Sequence, residues 1–328
     1  MAGVQDAALT VAVSNAGGLG SLPCGMLSAE LLTEELHVIS SQTQHPYNVN
    51  FFCHEMPAPD ALAEQRWLAT LDPYFVELGI ELPDAPQGAS RVPFDRTMAE
   101  VLSAFKPAVV SFHFGLPHED LLRYVRSWGA KVMSSTTTVA EAIYLERQGA
   151  DVVIAQGLEA GGHRGMFLTD DVSTQMGTLP LTSQMIRAVN IPVVAAGGIA
   201  TAADVAAMMT LGAAGVQVGT SYLLCDEAKT STLHRQALQS ADAAHTALTN
   251  LFSGRPARGI VNRLMRDLNC LNSVAPQFPL ASSALAPLRA QAEKMGKTDF
   301  SALWAGQNVH GCQQVLAAQL TRSLCALI

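Results

Sequence analysis

From residue 107 to residue 220, short apolar runs rich in β-branched residues alternate with capped helical segments, and few folds tolerate that rhythm. The runs at 107–112, 130–134, 151–155, 191–195 and 215–218 read as strands. The four residues after Asp151 are apolar and rich in β-branching, the character of a strand buried on both faces, and 107–112 reads as another buried strand. Between them, 121–128 and 183–189 are helical in composition. Thr138-x-x-Glu141 and Thr201-x-x-Asp204 have capping-box spacing, and Gly149 and Gly212 stop the helices so opened. Repeated alternation with short loops implies a parallel sheet covered by helices, and this many units implies an α/β fold closed into a TIM-type (β/α)8 barrel. At 328 residues the chain holds such a barrel, of about 250 residues, plus one extra module.

Nearer the amino terminus, 5–16 reads as a helix stopped at Asn15-Ala-Gly-Gly18, 19–22 as a short strand, 28–41 as a helix capped by Ser28, and 47–52 as a strand. A helix over 59–71 is expected to be interrupted by Pro73, with 74–78 as a short second piece, and 83–93 is a Pro-rich connection. After Asp226 the rhythm changes. Residues 227–248 read as one long helix, 253–266 as a basic, glycine-punctuated stretch with a solvated face, and 307–328 as a final amphipathic helix. The implied division is a barrel of residues 1–225 and 305–328 with a second, helical lid domain over 226–304.

Several function classes drop out on composition. A formal net charge of -8 gives no electrostatic footprint for nucleic acid, so a small-molecule substrate is expected. No Lys or Arg precedes Arg66, so the start lacks the basic residues of a secretory or mitochondrial leader, and the expected location is cytoplasmic. The uncharged span 7–29 is broken by Ser14, Asn15, Gly17, Gly18, Gly20 and Pro23, which argues against a membrane helix. The 6 cysteines show no metal-ligand spacing and read as reduced, buried thiols; neighbouring Cys53 and His54 point to opposite faces of a strand, so no metal site is expected.

The chemistry concentrates at strand ends. After the strand at 151–155, Gln156 opens a loop with glycines at 157, 161, 162 and 165 around His163, and a second histidine, His113, stands at the carboxyl end of the strand before Phe114-Gly115. Glycine-opened loops at the carboxyl ends of buried strands are where α/β folds place cofactors and catalytic groups. Gly197-Gly198 and Gly219-Thr220 end two successive late strands, the position where barrels hold a phosphate on backbone N–H groups.

Together Met1-Ala-Gly-Val4, Ser14-Asn-Ala-Gly-Gly-Leu-Gly-Ser21, Asn48-Val-Asn-Phe-Phe-Cys-His54, Ser111-Phe-His-Phe-Gly115, the 155–165 loop, Ala195-Ala-Gly-Gly-Ile199 and Val216-Gln-Val-Gly-Thr220 resemble the nitronate monooxygenases of class I, over nearly the whole chain. The resemblance implies an FMN-bound barrel that oxidises alkyl nitronates with O2 to carbonyl compounds and nitrite. By position it implies FMN contacts at Met1, Asn50, Gln156, Gly161, Gly197, Gly198, Gln217, Gly219 and Thr220, with His163 as the catalytic histidine and His113 as a second active-site histidine. Imidazoles there can offer an anionic nitronate N–H groups or positive charge, or take the α-proton of a nitroalkane. The alternative reading is an NAD(P)H-dependent flavin reductase acting on quinones or enoyl thioesters. The assembly expected is a monomer or a homodimer.

Two departures from the family carry their own expectations. Its members have further residues, including the first barrel strand, ahead of this Met1, so the barrel is expected to lack that strand, with unpaired edges and weakened folding or FMN retention. Where close relatives often carry Tyr, Tyr and Lys in the lid, this chain has Phe278, Ser282 and Ala286, which weakens the case for a carboxylated nitronate. Arg255, Arg258 and Arg263 are the cations available to compensate, and the basic stretch that holds them is expected to be solvated.

Overall fold

The computed structural model describes residues 1–82 and 91–328, so the first eight residues of the Pro-rich connection at 83–93 lie outside the described residues. In order, the chain forms α1 (Ala7–Asn15), β1 (Gly20–Pro23), α2 (Ala29–Gln42), β2 (Tyr47–Phe52), α3 (Ala61–Leu78), α4 (Arg96–Phe105), β3 (Val109–His113), α5 (Glu119–Arg126), β4 (Lys131–Thr136), α6 (Val139–Arg147) and β5 (Val152–Gln156). Then follow β6 (Gly162–His163), α7 (Thr178–Ala188), β7 (Val193–Ala196), α8 (Ala202–Leu211), β8 (Gly215–Gln217), α9 (Thr232–Gln239), β9 (Thr246–Thr249), β10 (Ala257–Ile260), α10 (Arg263–Asp267), α11 (Ala281–Lys294) and α12 (Ala317–Leu324).

Seven strands make one parallel sheet in the order β1-β2-β3-β4-β5-β7-β8. Among the described residues this is the TIM-type architecture less one strand, with β1 and β8 as its edges. Local chemistry explains its helices. Both expected capping boxes form, Thr138 with Glu141 and Thr201 with Asp204, each bonding the other's backbone N–H. Val153, Ile154 and Ala155 of β5 are buried in succession, so both faces of that strand are covered, which is why it carries apolar residues without alternation. Leu9 of α1 packs with Ala317, Leu320 and Leu324 of α12, Val205 of α8 and Ala195 of β7, so the helices near the two ends of the chain share one apolar cluster.

Several expectations are corrected. Pro73 does not interrupt α3: Trp67, Leu71, Tyr74 and Phe75 on both sides of it are buried against Ala281, Ala284, Leu285 and Leu288 of α11. Burial of four large side chains, each worth roughly 1.5–3 kcal/mol, exceeds the loss of about 3 kcal/mol that an internal proline imposes. Trp67 Nε1 adds a bond to the Ala281 carbonyl at 3.1 Å. The expected long helix over 227–248 is instead the short α9, a 3-10 turn and β9, and with β10 and β6 it gives a three-stranded antiparallel sheet. The segment after the barrel is therefore mixed α and β. Only 317–324 of the expected last helix is helical, α7 begins at Thr178, before the expected 183, and α4, capped by Asp95, is a helix that the sequence pattern did not mark. Of the cysteines, Cys24 and Cys225 are buried, three are half-buried and Cys325 is exposed; all are free.

Candidate active site

Parallel strands all point the same way, so their carboxyl ends share one rim. Asn50 and Phe52 of β2, His113 of β3, Gln156 of β5, the Gly197-Gly198 turn after β7 and Gln217 of β8 all stand there, in register Phe52 with His113, Gln156 with Ala196, and Ala196 with Gln217. These sequence-predicted residues thus share the carboxyl end of the sheet.

The loop carrying His163 is fixed by its own polar groups. Gln156 Nε2 donates to the His163 carbonyl at 2.8 Å, and Gln156 Oε1 accepts from Gly165 N at 2.7 Å, which leaves one amide hydrogen of Gln156 uncommitted by these bonds. Arg164 turns inward and is fully buried, donating to Gln175 Oε1 at 2.8 Å and to the carbonyls of Gly157 and Gln156 at 2.6 Å each. His163 consequently faces the other way. It lies in β6, opposite Ala257 of β10, so the expected glycine-opened loop is pinned by a strand from a distant segment.

A Cβ on Gly165 would lie 2.9 Å from His113 Cε1 and 3.0 Å from Ser135 Cβ, so only glycine lets the loop close over His113. His113 Nε2 donates to the His163 carbonyl at 3.1 Å, which places the proton of a neutral His113 on Nε2. His163 Nε2 lies 2.8 Å from the fully buried Ser253 Oγ. The surrounding wall is aromatic: ring centroids stand 5.3 Å apart for His163 and Phe278, 5.5 Å for His163 and Trp304, 4.5 Å for His113 and Phe114, and 4.7 Å for His54 and Phe278.

Burial dominates the electrostatics. It pushes His113 down to about 3 and His54 to about 4, with the nearby Arg255 guanidinium adding to both shifts. Burial, then Arg91, His113 and Arg255, hold His163 well below the ordinary imidazole range. All three imidazoles are therefore neutral near pH 7 and act as hydrogen-bond donors or bases. Burial therefore works against the sequence-based option of an imidazole carrying positive charge.

The basic stretch is not a solvated face. Arg258 is buried and donates to the Leu158 carbonyl at 2.7 Å, while Arg263 is bidentate on Glu77 at 2.7 Å. Arg255 is half-buried, its guanidinium carbon 4.2 Å from the Phe114 ring centroid. Ser253, His54 and Trp304 were missed as site residues in the sequence, and Arg255, a cation available to compensate there, was expected on a solvated face. Gly254, at φ 90, with Pro276 and Phe278 backbone where its side chain would be, is the one local sign of a built turn there.

The expected phosphate turns are close-packed. Gly197 and Gly198 have φ of 116 and 72, values that disfavour any other residue. Asn308 Nδ2 donates to the Gly198 carbonyl at 2.9 Å and Gly306 N donates to Thr220 Oγ1 at 2.9 Å, so one short segment ties both turns together. Beside Gly197 and Gly198 lies a cavity of about 330 Å³ lined in part by Glu159, Thr178, Asp204 and Asn308. The Met1 side chain would lie 3.8 Å from a Cβ on Gly219. A Cβ on Gly161 would lie 2.6 Å from the Ala305–Gly306 backbone, which explains the glycine there by packing alone. Asn50 Oδ1 accepts from Ser111 Oγ at 2.8 Å.

The profile of the nitronate monooxygenase family matches residues 1–326. A nitronate monooxygenase from Pseudomonas aeruginosa is 40% identical over 99% of this chain and 93% of its own length, and one from Paraburkholderia phytofirmans is 38% identical over 99% and 89%. Among solved structures, the nitroalkane oxidase of Streptomyces ansochromogenes superposes with a TM-score of 0.89 at 37% identity, covering 99% of this chain and 93% of that one. FabK from Thermotoga maritima superposes with a TM-score of 0.69 at 25% identity, covering 99% and 89%. On this whole-length agreement, the chain belongs to the nitronate monooxygenase family.

Proposed function

We propose that the protein oxidises alkyl nitronates with O2 to carbonyl compounds and nitrite, using FMN seated on the carboxyl rim of the sheet. The reading is carried by one arrangement. His113 and His163, neutral and hydrogen-bonded, stand in an aromatic wall on the same rim as two glycine turns held together by residues 306–308. The glycine-only backbone at Gly197 and Gly198 suits a phosphate, since the N–H groups of such turns approach an anion without side-chain interference. The carboxylates nearest it are already engaged: Glu159 accepts from Thr178 N and Oγ1, and Asp204 from Ala200 N and Thr201 N.

Gly197, Gly198, Gly219 and Thr220 would hold the phosphate, and Met1, Asn50, Gln156, Gly161 and Gln217 would contact the rest of the cofactor. When bound, FMN supplies the electron acceptor and the reaction with O2. The residues supply placement. His163, its Nε2 held by Ser253, is oriented toward the substrate, and His113 fixes the His163 backbone through its carbonyl. Phe52, Phe114, Phe278 and Trp304 exclude water, which strengthens each polar contact made inside. For a neutral nitroalkane, unprotonated His163 is in the state needed to accept the α-proton. Residues 226–304 serve as the lid that completes this wall.

Nitrite release and O2 uptake from propyl nitronate by FMN-loaded protein test the reading. Rapid anaerobic bleaching by NADH, with nitronates unchanged, would instead establish the reductase reading.

A further inference from the structure

Among the described residues, the Arg255 guanidinium has no carboxylate paired with it. Its only guanidinium hydrogen bond among the described residues goes from Nη2 to the Met166 carbonyl, and its Nε is buried with no partner. No carboxylate of the described residues lies within 4 Å of it; Asp170 and Glu141 are the acidic groups whose charge reaches it. A half-buried guanidinium left so is costly unless an anion completes it. Its surroundings show what such an anion would face. The guanidinium carbon stacks 4.2 Å from the Phe114 ring, whose centroid is 4.5 Å from His113 and 6.2 Å from both His54 and His163. The turn that delivers Arg255 also delivers Ser253 to His163.

We propose that Arg255, and not an imidazole, is the counter-charge that receives the nitronate group of the substrate. This rests on the nitronate reading above and assigns the binding of its anion. The other charged or titratable groups whose influence reaches the space are His54, His113 and His163, all held toward the neutral form by burial, the Met1 amino group, pushed down to about 6 by burial, and Arg91, whose carbon lies 5.9 Å from the Phe278 ring and whose Nη1 donates to Ser282 Oγ at 3.3 Å. A guanidinium is charged throughout the working range, so the seat does not depend on proton uptake.

Nitrate, a planar oxyanion that resembles a nitronate head and does not react, is the probe, with binding to the FMN-loaded protein followed by calorimetry. Wild-type affinity should stay constant from about pH 6 to about pH 9. Arg255→Met should weaken nitrate binding, and raise the nitronate KM, by roughly 10- to 150-fold, the loss of one charge-assisted hydrogen-bonding group. Arg255→Lys should recover part of it. Unchanged nitrate affinity in Arg255→Met overturns the proposal. So does a wild-type affinity that falls about tenfold per pH unit above the imidazole range, which would identify an imidazolium seat and needs no variant. Wild-type protein that binds nitrate yet oxidises no nitronate would sink the enzymatic reading while leaving the anion seat standing.

Discussion

Ser253→Ala is the sharpest test of how the site is held. The hydroxyl lies 2.8 Å from His163 Nε2, and Ser253 is fully buried, so no water can replace it without a cavity. Removing it leaves the imidazole nitrogen unpaired, a loss of about 1–3 kcal/mol. The ring then samples other orientations against Phe278 and Trp304, whose centroids stand 5.3 and 5.5 Å away. Expressed in the transition state, that loss is roughly a 5- to 150-fold fall in kcat/KM for a nitronate. Nitrite formation against substrate concentration, with the flavin content checked by absorbance, measures it. Because Gly254 and Arg255 keep their backbone, flavin content should stay at the wild-type level. A variant with unimpaired kcat/KM would refute the claim that Ser253 orients His163.

Other perturbations probe the remaining parts. Gly198→Val forces a β-branched residue to φ 72 with its Cβ 3.2 Å from Glu159 Cβ, and FMN retention through dialysis should fall at least tenfold; full retention would remove the turn from the cofactor site. Leu71→Ala, at a fully buried position between α3 and α11, should cost about 2–5 kcal/mol in urea unfolding, and a loss below about 1 kcal/mol would contradict the packing account. His113, His54 and His234 are pushed down to about 3, 4 and 4, so they bind fewer protons folded than unfolded. Their contribution is complete above the unfolded value of about 6.5 and is lost as pH falls toward the folded values. Unfolding free energy should therefore drop between pH 7 and pH 5, and an increase would reverse the sign.

Much of the architecture was legible because buried parallel strands write themselves as unbroken apolar runs, as at 152–155, and because Thr138 and Thr201 announce their helices by cap spacing. Pro73 misled, since the gain from Trp67 and Phe75 against α11 is a tertiary term that local propensity does not contain. The segment 227–248 misled for a related reason: Thr246–Thr249 becomes a strand by pairing with β10, whose partner β6 comes from the far end of β5. In the site, His113 and His163 were marked by glycines and strand ends. Ser253 bonds His163 across 90 residues of chain, and nothing in a linear pattern records that distance.

A crystal structure of the protein with FMN bound tests the central claim most directly. The account predicts the phosphate between Gly197-Gly198 and Gly219-Thr220, with the isoalloxazine facing His163 and the guanidinium of Arg255. A phosphate seated elsewhere, or a flavin ring turned from His163, would contradict it.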